Sequence, residues 1–203
     1  MGGIFCDLSK AFDCVNHDIL LNKLQYYGVR GNCLSWFKSH LSNRKQKVCI
    51  SANILNHETS SSWEEITDGV PQGSILGPLL FIIYLNDLPY GFQQDSKPVI
   101  YTDEVSVIVT ASNEPELKTQ ISQTNYMIEW FSVNGLNLNT DKTNIMKFLS
   151  NNRPSNNFQI MYHSKLLVSV NNTKFLGLEL DKHVNWKSHI KKILPKLSYS
   201  KRE

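Results

Sequence analysis

At 203 residues the chain can bury one good hydrophobic core with a small appendage. With 41% hydrophobic and 19% charged residues it should fold rather than stay disordered, and a net charge of +3 is too small to argue by itself for a nucleic-acid partner. Its four cysteines show no CxxC spacing and read as reduced thiols, an intracellular pattern. No stretch is apolar and long enough to span a bilayer, and no signal peptide precedes the first element.

The chain starts almost inside an element. Gly3-Ile4-Phe5-Cys6-Asp7-Leu8 reads as a buried strand ending in an acid, and the missing lead-in suggests a partial sequence. Asp7 suits either a strand-end acid or a metal ligand on a rigid strand end. Ile19, Leu20, Leu24 and Tyr27 have helical spacing, and Gly28 ends that helix. Asn32 is placed to cap a second helix through Leu34, Phe37 and Leu41. Lys47 to Ser51 reads as a strand, with Trp63 to Ile66 pairing back on it and Trp63 and Ile66 in the core.

Gly69 to Pro78 is a shaped loop rich in glycine and proline, whose glycines let backbone approach a ligand closely. A helix is expected to begin near Ser74 and run to about Leu88, apolar nearly all round and therefore central beneath a sheet. Next, Val99-Ile100-Tyr101-Thr102-Asp103-Glu104-Val105-Ser106-Val107-Ile108-Val109 predicts two strands joined by a tight turn that carries the acids at its tip. Adjacent carboxylates repel unless a cation lies between them, and Mg²⁺ prefers such hard oxygens.

Asn113-Glu114-Pro115-Glu116 is a helix start, followed by one stripe of Leu117, Ile121, Ile128 and Phe131 and a stop at Gly135. Leu136 to Asn139 leads through Asp141-Lys142-Thr143 into a strand at 144–148. Residues 150–157 read as a linker, dividing a domain at 1–150 from a segment at 151–203. Phe158–Tyr162 and Leu166–Val170 read as a hairpin, and Lys174–Leu180 as a further strand. The last helix carries Lys187, Lys191, Lys192, Lys196, Lys201 and Arg202, either a solvated face or a surface for backbone phosphates.

Taken together, the ordered pieces resemble the reverse transcriptases of non-LTR (LINE-type) retrotransposons. The pieces are Phe5 to Asp13, Gly69 to Phe81, Tyr101 to Glu104, Leu136 to Asn139 with Lys142-Thr143, and Phe175-Leu176-Gly177. The resemblance implies an α+β polymerase palm, a small antiparallel sheet with helices packed on one face and a partial thumb at the C-terminus. It implies RNA-directed DNA synthesis from RNA template, DNA primer and dNTP, with two Mg²⁺ ions, Mn²⁺ being the alternative, and no membrane partner.

By the same resemblance Asp7, Asp103 and Glu104 are the metal acids, with the backbone oxygen of Leu8 beside them. Phe12 matches the steric gate against a 2′-hydroxyl. Gln72 and Gly73 match the loop along the incoming nucleotide, and Lys142 the lysine that serves the leaving pyrophosphate. Residues 1–150 correspond to the palm, and 151–203 to the primer-grip hairpin, with Phe175, Leu176 and Gly177, and the start of a thumb carrying Lys187, Lys191 and Lys192.

The family usually has Ala-Asp-Asp where this chain has Thr102-Asp103-Glu104. Nothing resembles the fingers or an endonuclease, so the expectation is a fragment or impaired copy completed by the fingers, thumb and endonuclease of a longer element-encoded protein. One competing reading is an inactive relic that binds nucleic acid. Another, a metal-dependent nuclease, lacks a candidate general base among the scattered histidines.

Overall fold

The structure is a computed structural model that describes residues 1–52, 57–149, 159–162 and 165–199. The expected linker at 150–157, Phe158 and the terminal Lys201 and Arg202 lie outside the described residues. Helices and strands are mixed along the chain, which forms two compact units: Lys10–Asn86, and Met1–Ser9 with Asp87–Glu203.

In chain order, β1 (Gly2–Ser9) is the apolar first strand, buried from Gly2 to Cys6 and again at Leu8. A short 3₁₀ turn leads to α1 (His17–Tyr26), where the Asn16 side chain accepts the Ile19 N–H at 3.0 Å and Leu20 and Leu24 face inward. α2 (Gly31–Leu41) follows, then β2 (Arg44–Gln46), β3 (Cys49–Ala52), β4 (His57–Ser60) and β5 (Glu64–Ile66). Because α2 already begins at Gly31 after an uncapped Arg30, Asn32 lies inside the first turn and does not cap it.

The strand pairing here differs from the sequence expectation. β5 pairs with β2, whereas β3 pairs with β4. Trp63 stands outside β5, 62% exposed with the Lys47 ammonium 5.2 Å from its ring centroid. It is thus a surface cation–π partner rather than core.

α3 (Leu76–Leu85) packs on α1 within the Lys10–Asn86 unit, and Lys23 Nζ donates to the Tyr84 carbonyl at 2.7 Å. Leu80, Phe81, Tyr84 and Leu85 are buried, but Leu79 and Ile82 are half exposed, so the helix is not enclosed all round as its composition suggested. At Gly77 a Cβ would lie 2.4 Å from the Pro71 carbonyl oxygen. This glycine lets the loop pack closely on its own helix.

The other unit is organised on β1. β6 (Ser96–Tyr101) and β7 (Glu104–Val109) form a hairpin whose second strand runs antiparallel to β1. α4 (Glu114–Gln123) and α5 (Tyr126–Val133) replace the single expected helix. The break falls at buried Thr124, whose hydroxyl donates to the Ile121 carbonyl at 2.6 Å. Such back-bonding competes with continuation of the helix. α4 begins as expected, with Asn113 Oδ1 accepting the Glu116 N–H at 2.9 Å.

β8 (Asn137–Leu138) and β9 (Asn144–Lys147) both pair antiparallel with the free edge of β1, completing a five-stranded antiparallel sheet. Its core gathers Ile4, Phe5, Val105, Val107, Val109, Ile145 and Met146, with Leu117 and Ile121 of α4 packed against β1 and β7. β10 (Gln159–Tyr162) pairs with β11 (Lys165–Val168).

The segment read as one strand at Lys174–Leu180 is a hairpin, β12 (Asn172–Phe175) and β13 (Leu178–Asp181), turning at Leu176-Gly177. α6 (Lys187–Tyr199) closes the described chain. No helix among the described residues is long and apolar enough to cross a membrane.

Candidate active site

Asp7 sits near the end of β1, where both neighbouring strands hold it. On one side its Cα pairs with that of Glu104 across the β1–β7 ladder. On the other, its backbone carbonyl accepts the Asn139 N–H at 2.9 Å. The next residue, Leu8, is buried and pairs with Leu138. A carboxylate so anchored has little backbone freedom, which preorganises it for a fixed ligand geometry.

Asn139 does more than extend the sheet. Its side-chain oxygen accepts the Asp141 N–H at 3.2 Å and the Lys142 N–H at 3.3 Å, and its carbonyl accepts the Thr143 hydroxyl at 2.8 Å. This Asx turn aims Lys142 at the strand end, with Nζ 3.3 Å from Asp7 Oδ2. Lys165 of β11 braces the same turn from outside, donating to the Thr140 carbonyl at 2.9 Å and to Asp141 at 2.5 Å. The Asp141 carboxyl is held below its ordinary value, first by that hydrogen bond and then by the lysine charge.

Asp7, Glu104 and Lys142 line one cleft of about 280 Å³ together with Phe5, Cys6, Ser106, Asn144, Thr173, Lys174 and Phe175. Phe5 meets Phe175 edge-on, with ring centroids 5.7 Å apart. Burial pushes the Cys6 thiol up to about 12, so the cleft contains no thiolate there. Its ionic character therefore comes from two carboxylates and two ammonium groups.

The tip of the acidic hairpin is a two-residue turn of Thr102 and Asp103. Thr102 has a φ of 50°, and its hydroxyl donates to Asp103 Oδ1 at 2.9 Å. Thr102 is thus a turn residue rather than part of a packed strand. Asp103 is not among the residues lining the cleft, whereas Glu104, the first residue of β7, is. Glu104 Oε2 also accepts the Leu176 N–H at 3.0 Å.

The remaining residues singled out by sequence lie as follows. Phe12 stacks on Phe81 with centroids 4.7 Å apart, and Gln72 Nε2 donates to Asp13 Oδ1 at 3.0 Å. Gly73 has a φ of 82° with open space where a Cβ would stand. Lys187, Lys191 and Lys192 lie on α6, where Lys192 pairs with Glu179 of β13. Sequence reasoning missed Asn144, Thr173 and Lys174, and named Asn139 only within a motif, without a role. Only Asn139 left a local signal, an Asn ahead of Thr-Asp-Lys that suits a turn.

Among the described residues no group of three or more His, Cys, Asp or Glu could by itself hold a metal ion. Mg²⁺ needs no such cage, because it commonly binds through one or two carboxylates and leaves its other positions to water and substrate phosphates. The hard oxygens of Asp7 and Glu104 fit that requirement.

The family described as reverse transcriptase (RNA-dependent DNA polymerase) matches residues 2–180. Over 93% of its length the chain is 29% identical to "Probable RNA-directed DNA polymerase from transposon BS" of Drosophila melanogaster. It is 28% identical over 94% of its length to "RNA-directed DNA polymerase from mobile element jockey" of the same organism. It spans only 21% of either relative. Among solved structures, apo telomerase from Candida tropicalis aligns with 91% of this chain and 32% of that one, with a TM-score of 0.59 at 14% identity, a likeness of fold. With the family covering almost all of the ordered motifs, this chain belongs to the reverse transcriptase (RNA-dependent DNA polymerase) family, and its matched relatives are polymerases of transposable elements, as the non-LTR resemblance implied.

Proposed function

We propose that the chain is the palm of an RNA-directed DNA polymerase of a non-LTR retrotransposon, joining dNTPs to the 3′-hydroxyl of a DNA primer on an RNA template. One observation carries the reading: Asp7 and Glu104 are paired across adjacent strands, with the Lys142 ammonium 3.3 Å from Asp7. Nucleotidyl transfer needs anchored oxygens for hard cations and a positive group for the leaving pyrophosphate. When bound, two divalent ions, Mg²⁺ or in its place Mn²⁺, would stabilise charge on the attacking and leaving oxygens.

Asp7, Asp103, Glu104 and the Leu8 carbonyl are the ligands this reading assigns. Lys142 is exposed enough to meet solvent and substrate, and it supplies a proton or a positive charge to pyrophosphate. Phe175, Leu176 and Gly177 hold the primer end, while Lys187, Lys191 and Lys192 meet backbone phosphates. In the Lys10–Asn86 unit, Phe12 is assigned to dNTP selection and Gln72 and Gly73 to the nucleotide. Support for the Phe12 role is its ring, fixed by the stack on Phe81. Residues 1–150 form the palm and 151–203 the primer-grip hairpin and start of the thumb. Fingers, the remaining thumb and an endonuclease come from a longer element-encoded protein.

The test is primer extension on a homopolymer RNA template with Mg²⁺, by this chain and by a longer protein that contains it. Incorporation that disappears in Asp7→Asn supports the reading. Failure of both proteins to exceed that variant overturns it.

A further inference from the structure

Two tight turns meet at Glu104. Thr102-Asp103 closes the β6–β7 hairpin and Leu176-Gly177 closes the β12–β13 hairpin. In the second turn Leu176 has a φ of 47° and Gly177 a φ of 80°, both positive as in other two-residue hairpin turns. A leucine stays in the left-handed region only where its surroundings hold it. The pairing of Phe175 with Leu178 across the hairpin is one such restraint, and the Leu176 N–H donating to Glu104 Oε2 at 3.0 Å adds another from outside it. A backbone N–H on an ionised carboxylate is among the stronger hydrogen bonds.

The reach of this contact depends on side-chain length. The Glu104 Cα is fixed by pairing with both Asp7 and Tyr101, so it cannot follow a shorter side chain towards the turn. Aspartate is shorter by one C–C bond, about 1.5 Å. That would stretch the contact beyond hydrogen-bond distance. Tyr101, Thr102, Glu104, Leu176 and Gly177 line a shared opening of about 420 Å³, so a loosened turn has room to move.

We propose that Glu104 is a positioning residue that ties the Leu176-Gly177 turn to the acidic hairpin, and that the tie requires its full side-chain length. The proposal rests on the polymerase reading only in giving the turn a primer end to hold. The tie uses Oε2, and the rank of two variants reads it apart from the ligand role assigned to Glu104 above. E104Q loses the charge but keeps an acceptor oxygen at the same reach. E104D keeps the charge and loses the reach.

The experiment is amide hydrogen exchange on the 203-residue chain without nucleic acid, with the buried Val107 in the centre of β7 as the fold control. In E104Q the Leu176 amide is expected to exchange within about threefold of the wild type, and in E104D at least about tenfold faster. E104A should match E104D. If Val107 reports that E104A has opened the hairpin, the Gln and Asp variants decide alone. A Leu176 amide as protected in E104D as in the wild type overturns the proposal, as does one that exchanges in E104Q as fast as in E104D. Primer extension on the same variants reads the polymerase assignment separately, because absent incorporation in all of them leaves the exchange pattern intact.

Discussion

Lys142 Nζ lies 3.3 Å from Asp7 Oδ2, yet the lysine side chain is 68% exposed and the aspartate 35%. An ion pair this open to water contributes at most about 1 kcal/mol. On the proposed polymerase reading, its position beside the strand-end acid gives it a larger part in chemistry than in folding. Lys142→Ala should therefore shift urea-unfolding stability by less than about 1 kcal/mol. In a polymerase-competent protein it should lower the rate of primer extension by about a hundredfold. Undiminished extension, or a large loss of stability, would refute this division of labour.

Gly73 in the loop and Gly77 in the first turn of α3 should both lose stability on side-chain addition, but unequally and for different reasons. At Gly77 a Cβ would lie 2.4 Å from the Pro71 carbonyl oxygen, a backbone atom that cannot rotate away. Gly77→Ala should cost about 1–3 kcal/mol by overpacking. Gly73 has open space and a φ of 82°, so Gly73→Ala should cost only about 1 kcal/mol, from backbone strain. Urea denaturation of the two variants side by side checks the order.

Glu114 at the start of α4 takes a hydrogen bond from Lys147 of β9 at 2.5 Å. That bond, the largest influence, outweighs the opposing push of burial and, with the smaller pull of the Lys147 and Lys118 charges, holds the carboxyl below its ordinary value. A depressed carboxyl stabilises the fold above its unfolded pKa, and the benefit disappears as pH falls through the folded pKa. Glu114→Gln should thus be less stable than the parent at neutral pH, by no more than about 1 kcal/mol because the pair is water-screened. The difference should vanish in acid below the carboxylate range. Unfolding curves at neutral and acidic pH measure this, and a gap that persists in acid would contradict it.

The cysteines should divide by environment when alkylated. Cys33 and Cys49 are exposed, whereas Cys6 is buried with its thiol pushed up to about 12. At pH 8 Cys6 would therefore stay a thiol. Peptide mapping after iodoacetamide should find Cys33 and Cys49 labelled in the folded chain, and Cys6 only after denaturation. Rapid labelling of native Cys6 would show that β1 opens more readily than its ladder implies.

Local patterns in the sequence decided a good deal. The apolar run of β1, the β-branched arms around Asp103 and Glu104, and the Asn113 cap each rest on interactions within a few residues, and each formed as read. Family membership was legible for the same reason, since its motifs are short strings in a fixed order. Only the tertiary structure decided which acid faces Asp7. The two-residue turn takes Thr102 and Asp103, and register with β1 brings Glu104 opposite. It also decided that the Leu176-Gly177 turn docks on Glu104, and that the Asn139 turn docks on the Asp7 carbonyl with Lys142 beside that acid. Register and turn docking depend on partners tens of residues away, and no local period in the sequence encodes them.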